Sequence, residues 1–258
     1  MPMARLTLSL VRTDFRNITR EGLPAFLIVL PLLVALIYRF VIPDQSELAR
    51  VLHSELSADL EPHRALLETL VGAMAPMLMS IFIAMSPGLI DAVYGLLLVD
   101  ERDERTLAVL RVMPVSFARY LAARMATPCV LSILVTICAY PLAGLAPLPL
   151  ATVAAIALVG GTTVPVVALA IVSFAPNKVA ALAVMRVANT LLALPILAYF
   201  ATPTQTLLAW PIPSYWQMKA LWLVVDSQPY LWALAVALAL NIVLTRWLYR
   251  RFVRRSEA

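Results

Sequence analysis

Leu70 to Leu98 reads LVGAMAPMLMSIFIAMSPGLIDAVYGLLL, and after Val99 the chain turns at once to Asp100-Glu101-Arg102-Asp103-Glu104-Arg105. The first string exceeds the roughly 20 apolar residues that cross a hydrocarbon core as a helix. Its one charge is Asp91. The two strings together describe a membrane helix that ends in a charged surface loop.

The same signal recurs along the chain at Leu23 to Ile42, Tyr120 to Leu142, Leu148 to Phe174, Val179 to Phe200 and Tyr230 to Trp247. Hydrophobic residues make up 62% of the 258 positions and charged residues 14%, against about 25% charged in an ordinary soluble domain. Six helices of about 20 residues use roughly 120 positions, which leaves loops and tails but too little for a second soluble domain. The chain therefore reads as all-α, a single polytopic membrane domain over 1–258 with six transmembrane helices. The first run is too long for a signal-peptide core, and no A-x-A pattern follows it.

The net charge of +5 could belong to a nucleic-acid surface or to membrane topology. No basic cluster is interleaved with aromatics as a base-stacking surface requires, so no nucleic-acid partner is expected. The arginines sit instead at the ends of the apolar runs. Arg5 to Arg20, Arg102 to Arg124, Lys178, Arg186 and Arg246 to Arg255 fall on one side, and only Arg39, Arg50, Arg64 and Lys219 on the other. The rule that basic loops stay inside places both termini in the cytoplasm.

The segments between the spans then take roles. Residues 1–21 are amphipathic, with Leu8, Val11, Phe15 and Ile18 at helical spacing, and read as a cytoplasmic interfacial helix. Residues 43–68 form an outer loop with a small helical cap; His53 and His63, ten apart, share no helix face and hold no metal. Residues 201–229 form an outer segment in which Trp210, Tyr215, Trp216 and Trp222 read as an aromatic belt or short pieces dipping into the leaflet. Residues 248–258 are a cytoplasmic tail. Cys129 and Cys138 lie about 13 Å apart on opposite faces of one helix, too far for a disulfide, and read as packing residues.

The loop at 99–119 carries the functional argument. After its six charges, Leu107, Leu110 and Met113 form an apolar stripe on a short helix, Pro114 stops that helix, and Ser116 is placed to cap the next. A short helix with an apolar face at the cytosolic surface is a docking element. Acidic-basic run, short helix and Pro114-Val115-Ser116 together resemble the loop of the membrane subunits of type-2 ATP-binding-cassette exporters, the ABC-2 permeases, which include multidrug and antibiotic exporters. Arg105 stands where that family usually has glycine, and Met113 where it has threonine. Phe174-Ala175-Pro176-Asn177-Lys178, Leu194-Pro195 and Ile212-Pro213-Ser214-Tyr215-Trp216 extend the resemblance over nearly the whole chain.

The resemblance implies a bacterial inner (plasma) membrane protein. It implies two cytosolic ATPase subunits and a second copy or a related permease as partners, besides the surrounding lipid. Thr106, Leu107, Leu110, Arg111, Met113 and Pro114 would form the coupling helix that docks on the ATPase, flanked by Glu101, Asp103, Glu104 and Arg105. The sequence has no G-x-x-x-x-G-K-[ST] loop, so the chain binds no cofactor of its own and ATP and Mg²⁺ are expected to be used by the partner. No catalytic or metal-ligating set is present either, with no histidine inside a span and no H-E-x-x-H, so an enzyme is not expected. The substrate expected from an apolar lining is an amphipathic or hydrophobic molecule, a drug or lipid-like compound. An ion-gradient-driven transporter and a non-transporting structural subunit are the alternatives.

Two charges fall inside spans. Asp91 lies about 13 Å back from Asp100, and Arg186 about 12 Å in from Lys178, at helical rise. Charges in lipid pair or mark a pathway, so Asp91 and Arg186 form a candidate intramembrane ion pair. Ser86-Pro87-Gly88 and Gly160 to Pro165 interrupt their spans with small and helix-breaking residues that allow bends or close packing.

Overall fold

A computed structural model describes residues 22–43, 47–48, 50, 54, 63–103 and 117–257. The expected interfacial helix, most of the outer cap and the docking helix lie outside the described residues. The regular elements among those described are helical: α1 (Gly22–Val41), α2 (Arg64–Asp103), α3 (Phe117–Ala143), α4 (Leu150–Gly161), α5 (Val164–Phe174) and α6 (Lys178–Ala193). The 3-10 turn Leu194–Tyr199, α7 (Pro203–Thr206), the 3-10 turn Leu207–Ala209, α8 (Pro213–Val225) and α9 (Leu231–Glu257) follow.

Five of these segments are long and apolar enough to cross a membrane: Arg64–Asp103, Ala118–Ala143, Leu150–Phe174, Lys178–Tyr199 and Leu231–Arg254. The first apolar run folds as α1, whose stretch Ala25–Val41 is a shorter apolar helix. The 40 residues of α2 extend roughly 60 Å, about twice a hydrocarbon core. This helix overruns the span read from the sequence at both ends, because Arg64 to Thr69 and the first residues of the charged run continue it. Likewise α9 stays helical through its basic tail to Glu257.

The long helix α2 is the axis of the bundle, packed against α1, α3, α5, α6 and α8. Small residues let neighbours come close. A Cβ at Gly95 would overlap the side chain of Ile171, and one at Gly161 would stand 2.6 Å from Ile133 Cγ1 and 3.0 Å from the Cys129 carbonyl oxygen. These two glycines set the approach of α5 to α2 and of α4 to α3.

The run Leu148 to Phe174 folds as two helices. They meet at Thr162 and Thr163, whose amides bond back three residues, to Val159 O at 3.1 Å and Gly160 O at 2.9 Å. This is the tighter 3-10 pattern. Pro165 adds to the break, since it has no N–H to give to Gly161.

Residues 201–229 fold differently from an interfacial belt. Within them α8 enters the bundle, and Tyr215, Trp216, Gln217, Met218, Leu221 and Trp222 are all buried. The indoles are satisfied inside, Trp222 Nε1 donating to Ser80 Oγ at 2.7 Å and Trp216 Nε1 to the Trp210 carbonyl at 2.8 Å. Rings stack edge-on from Tyr199 to Trp222 and from Trp216 to Trp232. The aromatics here form a core because two proline-bounded turns fold α8 back against α9, α2 and α4. Both cysteines are free. Cys138 is exposed on the bundle's outer face, so it does not pack in the core as expected.

Candidate functional site

The charged run after the second span roots in the bundle. Arg102, in the last turn of α2, donates from Nη1 to the carbonyls of Val172 at 3.0 Å and Ala175 at 2.7 Å. These belong to the last turn of α5 and the residue after it, where helix carbonyls lack intrahelical partners and a cation is favoured. Glu101 turns the other way. It accepts from Arg124 Nη2 at 2.6 Å and from the Tyr120 hydroxyl at 3.1 Å, both on α3. Arg124 and Glu101 are largely shielded, at 7% and 18% side-chain exposure, so their attraction is screened little.

Around this pair the contacts are weaker. Lys178 Nζ meets Asp100 at 2.9 Å and Arg102 meets Asp103 at 3.2 Å, both near the surface. Exposed pairs of this kind contribute about 0–1 kcal/mol. Asn177 caps α6 by accepting from the Ala180 amide at 2.9 Å. The two motifs singled out in sequence, the acidic-basic run and the Phe174 to Lys178 turn, are thus in direct contact. Glu101 and Asp103 are placed by the structure; Glu104, Arg105, Thr106, Leu107, Leu110, Arg111, Met113 and Pro114 lie outside the described residues.

A second polar cluster sits at mid-bundle, at the break between α4 and α5. Asn241 of α9, 1% exposed, donates from Nδ2 to Thr162 Oγ1 at 2.8 Å and Thr163 Oγ1 at 3.3 Å. Gln217 of α8 donates to the same Thr163 hydroxyl at 2.9 Å. Thr162 gives its own proton to the Val159 carbonyl at 2.6 Å, so it can only accept from Asn241. That fixes the amide's orientation and leaves Asn241 Oδ1 without a hydrogen bond.

Asp91 and Arg186 are not brought together. Asp100 and Lys178, from which the two positions are counted, are in contact. Rotation separates the pair: Arg186 lies roughly 130° around α6 from the inward line of Ala181, Met185, Ala188 and Leu192 at 3.6 residues per turn. Arg186 is exposed on the outer face. Asp91 is wholly buried, and neither of its carboxylate oxygens has a hydrogen-bond partner.

Over residues 14–249 the chain matches the family described as Rv2686c-like fluoroquinolones export permease proteins. The chain belongs to this family. Two curated relatives, the fluoroquinolones export permease proteins Rv2686c and MT2760 of Mycobacterium tuberculosis strains H37Rv and CDC 1551, are each 29% identical over 180 residues, 69% of this chain and 71% of theirs. No solved structure matches the chain. Family membership and the apolar helices together make it a multi-pass membrane permease of the ABC-2 exporter type.

The permease holds further functional-site candidates beyond the charged loop. Arg124 stands a turn inside the third span, where a charge signals a partner. Asn241, alone in the middle of an apolar run, carries the same signal for an interhelical hydrogen bond. Gln217 gives no such sign, because nothing in residues 201–229 marks them as folding back into the bundle.

Proposed function

We propose that the permease is the membrane subunit of an ATP-driven exporter of amphipathic or hydrophobic molecules. Fluoroquinolones are the first to test, because the mycobacterial relatives are named for their export. On this reading six helices cross the bacterial plasma membrane, α1 among them, with both termini in the cytoplasm. Two cytosolic ATPase subunits dock on Thr106 to Met113 and hydrolyse ATP with Mg²⁺, and a second copy or a related permease completes the membrane unit. Nucleotide binding would favour one arrangement of the pair over the other by its differential affinity for the two.

The braced root of the 99–119 loop carries this reading. A segment that receives a push needs a stiff base, and Asp100 to Asp103 are held to α3 through Arg124 and Tyr120 and to α5 through Arg102. A displacement of the loop would then move α2, α3 and α5 together. The test is affinity purification from native membranes with mass spectrometry of what accompanies wild type and Leu110→Asp. An ATP-binding-cassette ATPase recovered with wild type and lost with the variant is expected; no ATPase with either sinks the proposal.

One observation favours a second reading. Asp91, buried without a partner, is the kind of group that carries a proton in gradient-driven transporters. Drug efflux that stops with a protonophore yet persists after ATP depletion would select that reading.

A further inference from the structure

Between α3, α5 and α9 lies a cavity of about 540 Å³ that begins at the Thr162 break. This volume is within the range of about 300–1,000 Å³ typical of sites for drug-sized ligands. Its walls are apolar and include Ala122, Met125 and Leu169, while Thr162 and Asn241 stand at one end and Arg246 and Tyr249 at the other. From Asn241 to Tyr249 it runs roughly 12 Å along α9 at helical rise. Arg246 is exposed and no carboxylate pairs with it among the described residues.

From this arrangement we infer that the cavity is a substrate-binding site for a flat, largely apolar molecule with polar groups at both ends, an anionic one toward Arg246 and an N–H donor toward Thr162. The chemistry of the two ends sets this preference. A guanidinium recognises a carboxylate through charge-assisted, forked hydrogen bonds. At the inner end the half-buried Thr162 hydroxyl gives its own proton to the Val159 carbonyl and can only accept, so it favours a ligand N–H. A lipid tail would bring its apolar tip against this polar end and satisfy nothing there. Fluoroquinolones have the required form, an aromatic body with a carboxylate at one end and a basic amine at the other. The site deepens the export reading above and rests on it. If the arginine-rich side is cytoplasmic, the Arg246 end lies toward the compartment from which a drug is expelled.

The experiment measures norfloxacin and norfloxacin methyl ester binding to the purified full-length permease by equilibrium dialysis. Wild type, Arg246→Gln and Ala122→Trp are compared. Arg246→Gln is expected to weaken norfloxacin at least tenfold and to leave the ester, which has no carboxylate, within twofold of wild type. Ala122→Trp fills the cavity and is expected to abolish binding of both. The Arg246 comparison between acid and ester decides the matter even where the tryptophan variant fails to fold. Wild type that binds both compounds with affinities unchanged in either variant overturns the site alone. The site also falls if unchanged drug affinity accompanies loss of a copurifying phospholipid in Ala122→Trp. Wild type that binds neither compound overturns the site together with the fluoroquinolone reading, and leaves the ATPase partnership to its own copurification test.

Discussion

Two acids on α2, the half-buried Glu101 and the wholly buried Asp91, sit ten residues apart and differ in their surroundings. Glu101 has a guanidinium and a phenol hydroxyl within hydrogen-bond reach; Asp91 has neither. Removing one member of a shielded ion pair leaves the other charge uncompensated, so Glu101→Ala is expected to destabilise the permease by on the order of 3 kcal/mol. Asp91→Asn breaks no side-chain hydrogen bond and removes a group that is costly to bury charged, so its melting midpoint should equal or exceed that of wild type. Thermal unfolding of the purified variants in detergent checks both, and a midpoint several degrees lower for Asp91→Asn would show that the carboxyl has a partner.

At the scale of elements, two glycines report how closely the helices are packed. Gly161 faces backbone as well as side chain, with its would-be Cβ 3.0 Å from the Cys129 carbonyl oxygen. The main chain of α3 cannot rotate away as a side-chain tip can. Gly161→Ala is therefore expected to cost about 1–3 kcal/mol, the range for overpacking. Gly72 has no atom within 4 Å of its would-be Cβ, and Gly72→Ala should be neutral or slightly stabilising, because alanine is the better helix former by about 1 kcal/mol. Equal midpoints for the two variants would mean that α3 and α4 are packed more loosely than described. The α8 helix makes a similar point through Trp222, whose indole N–H reaches Ser80 on α2. Trp222→Phe gives up that bond along with part of a ring and should lower the midpoint, while Trp210→Phe, at a ring 47% exposed, should change it little.

At the scale of the whole molecule, the arginine distribution predicts its sidedness. Single cysteines placed at Ser9 and Ser256 in a background lacking Cys129 and Cys138 should both resist a membrane-impermeant maleimide in intact cells and react after permeabilisation. Labelling of one terminus alone in intact cells would mean an odd number of crossings, and would remove α1 or another helix from the membrane. Much of this architecture is legible without coordinates. Apolar runs and arginine placement mark the spans, and the charged run together with the Phe174 to Lys178 turn marks the root of the loop. The mid-bundle cluster is not legible in the same way. Asn241 and Gln217 are far apart in sequence and meet at Thr163 only because α8 folds back into the bundle.

Hydropathy along the chain marks an all-helical protein and roughly where its long apolar helices run. Transfer into hydrocarbon is close to a sum over consecutive residues, and helical rise converts residue number into depth. Asp100 and Lys178, at the ends of two such helices, are in contact. The rotation of each helix about its axis emerges from the packing alone. In a chain apolar on nearly every face, contact with lipid and contact with another helix select the same residues, so rotation is invisible until the neighbours are in place. Rotation took Arg186 away from Asp91, carried the tryptophans of α8 into the core, and set Asn241 and Arg246 at the two ends of one cavity.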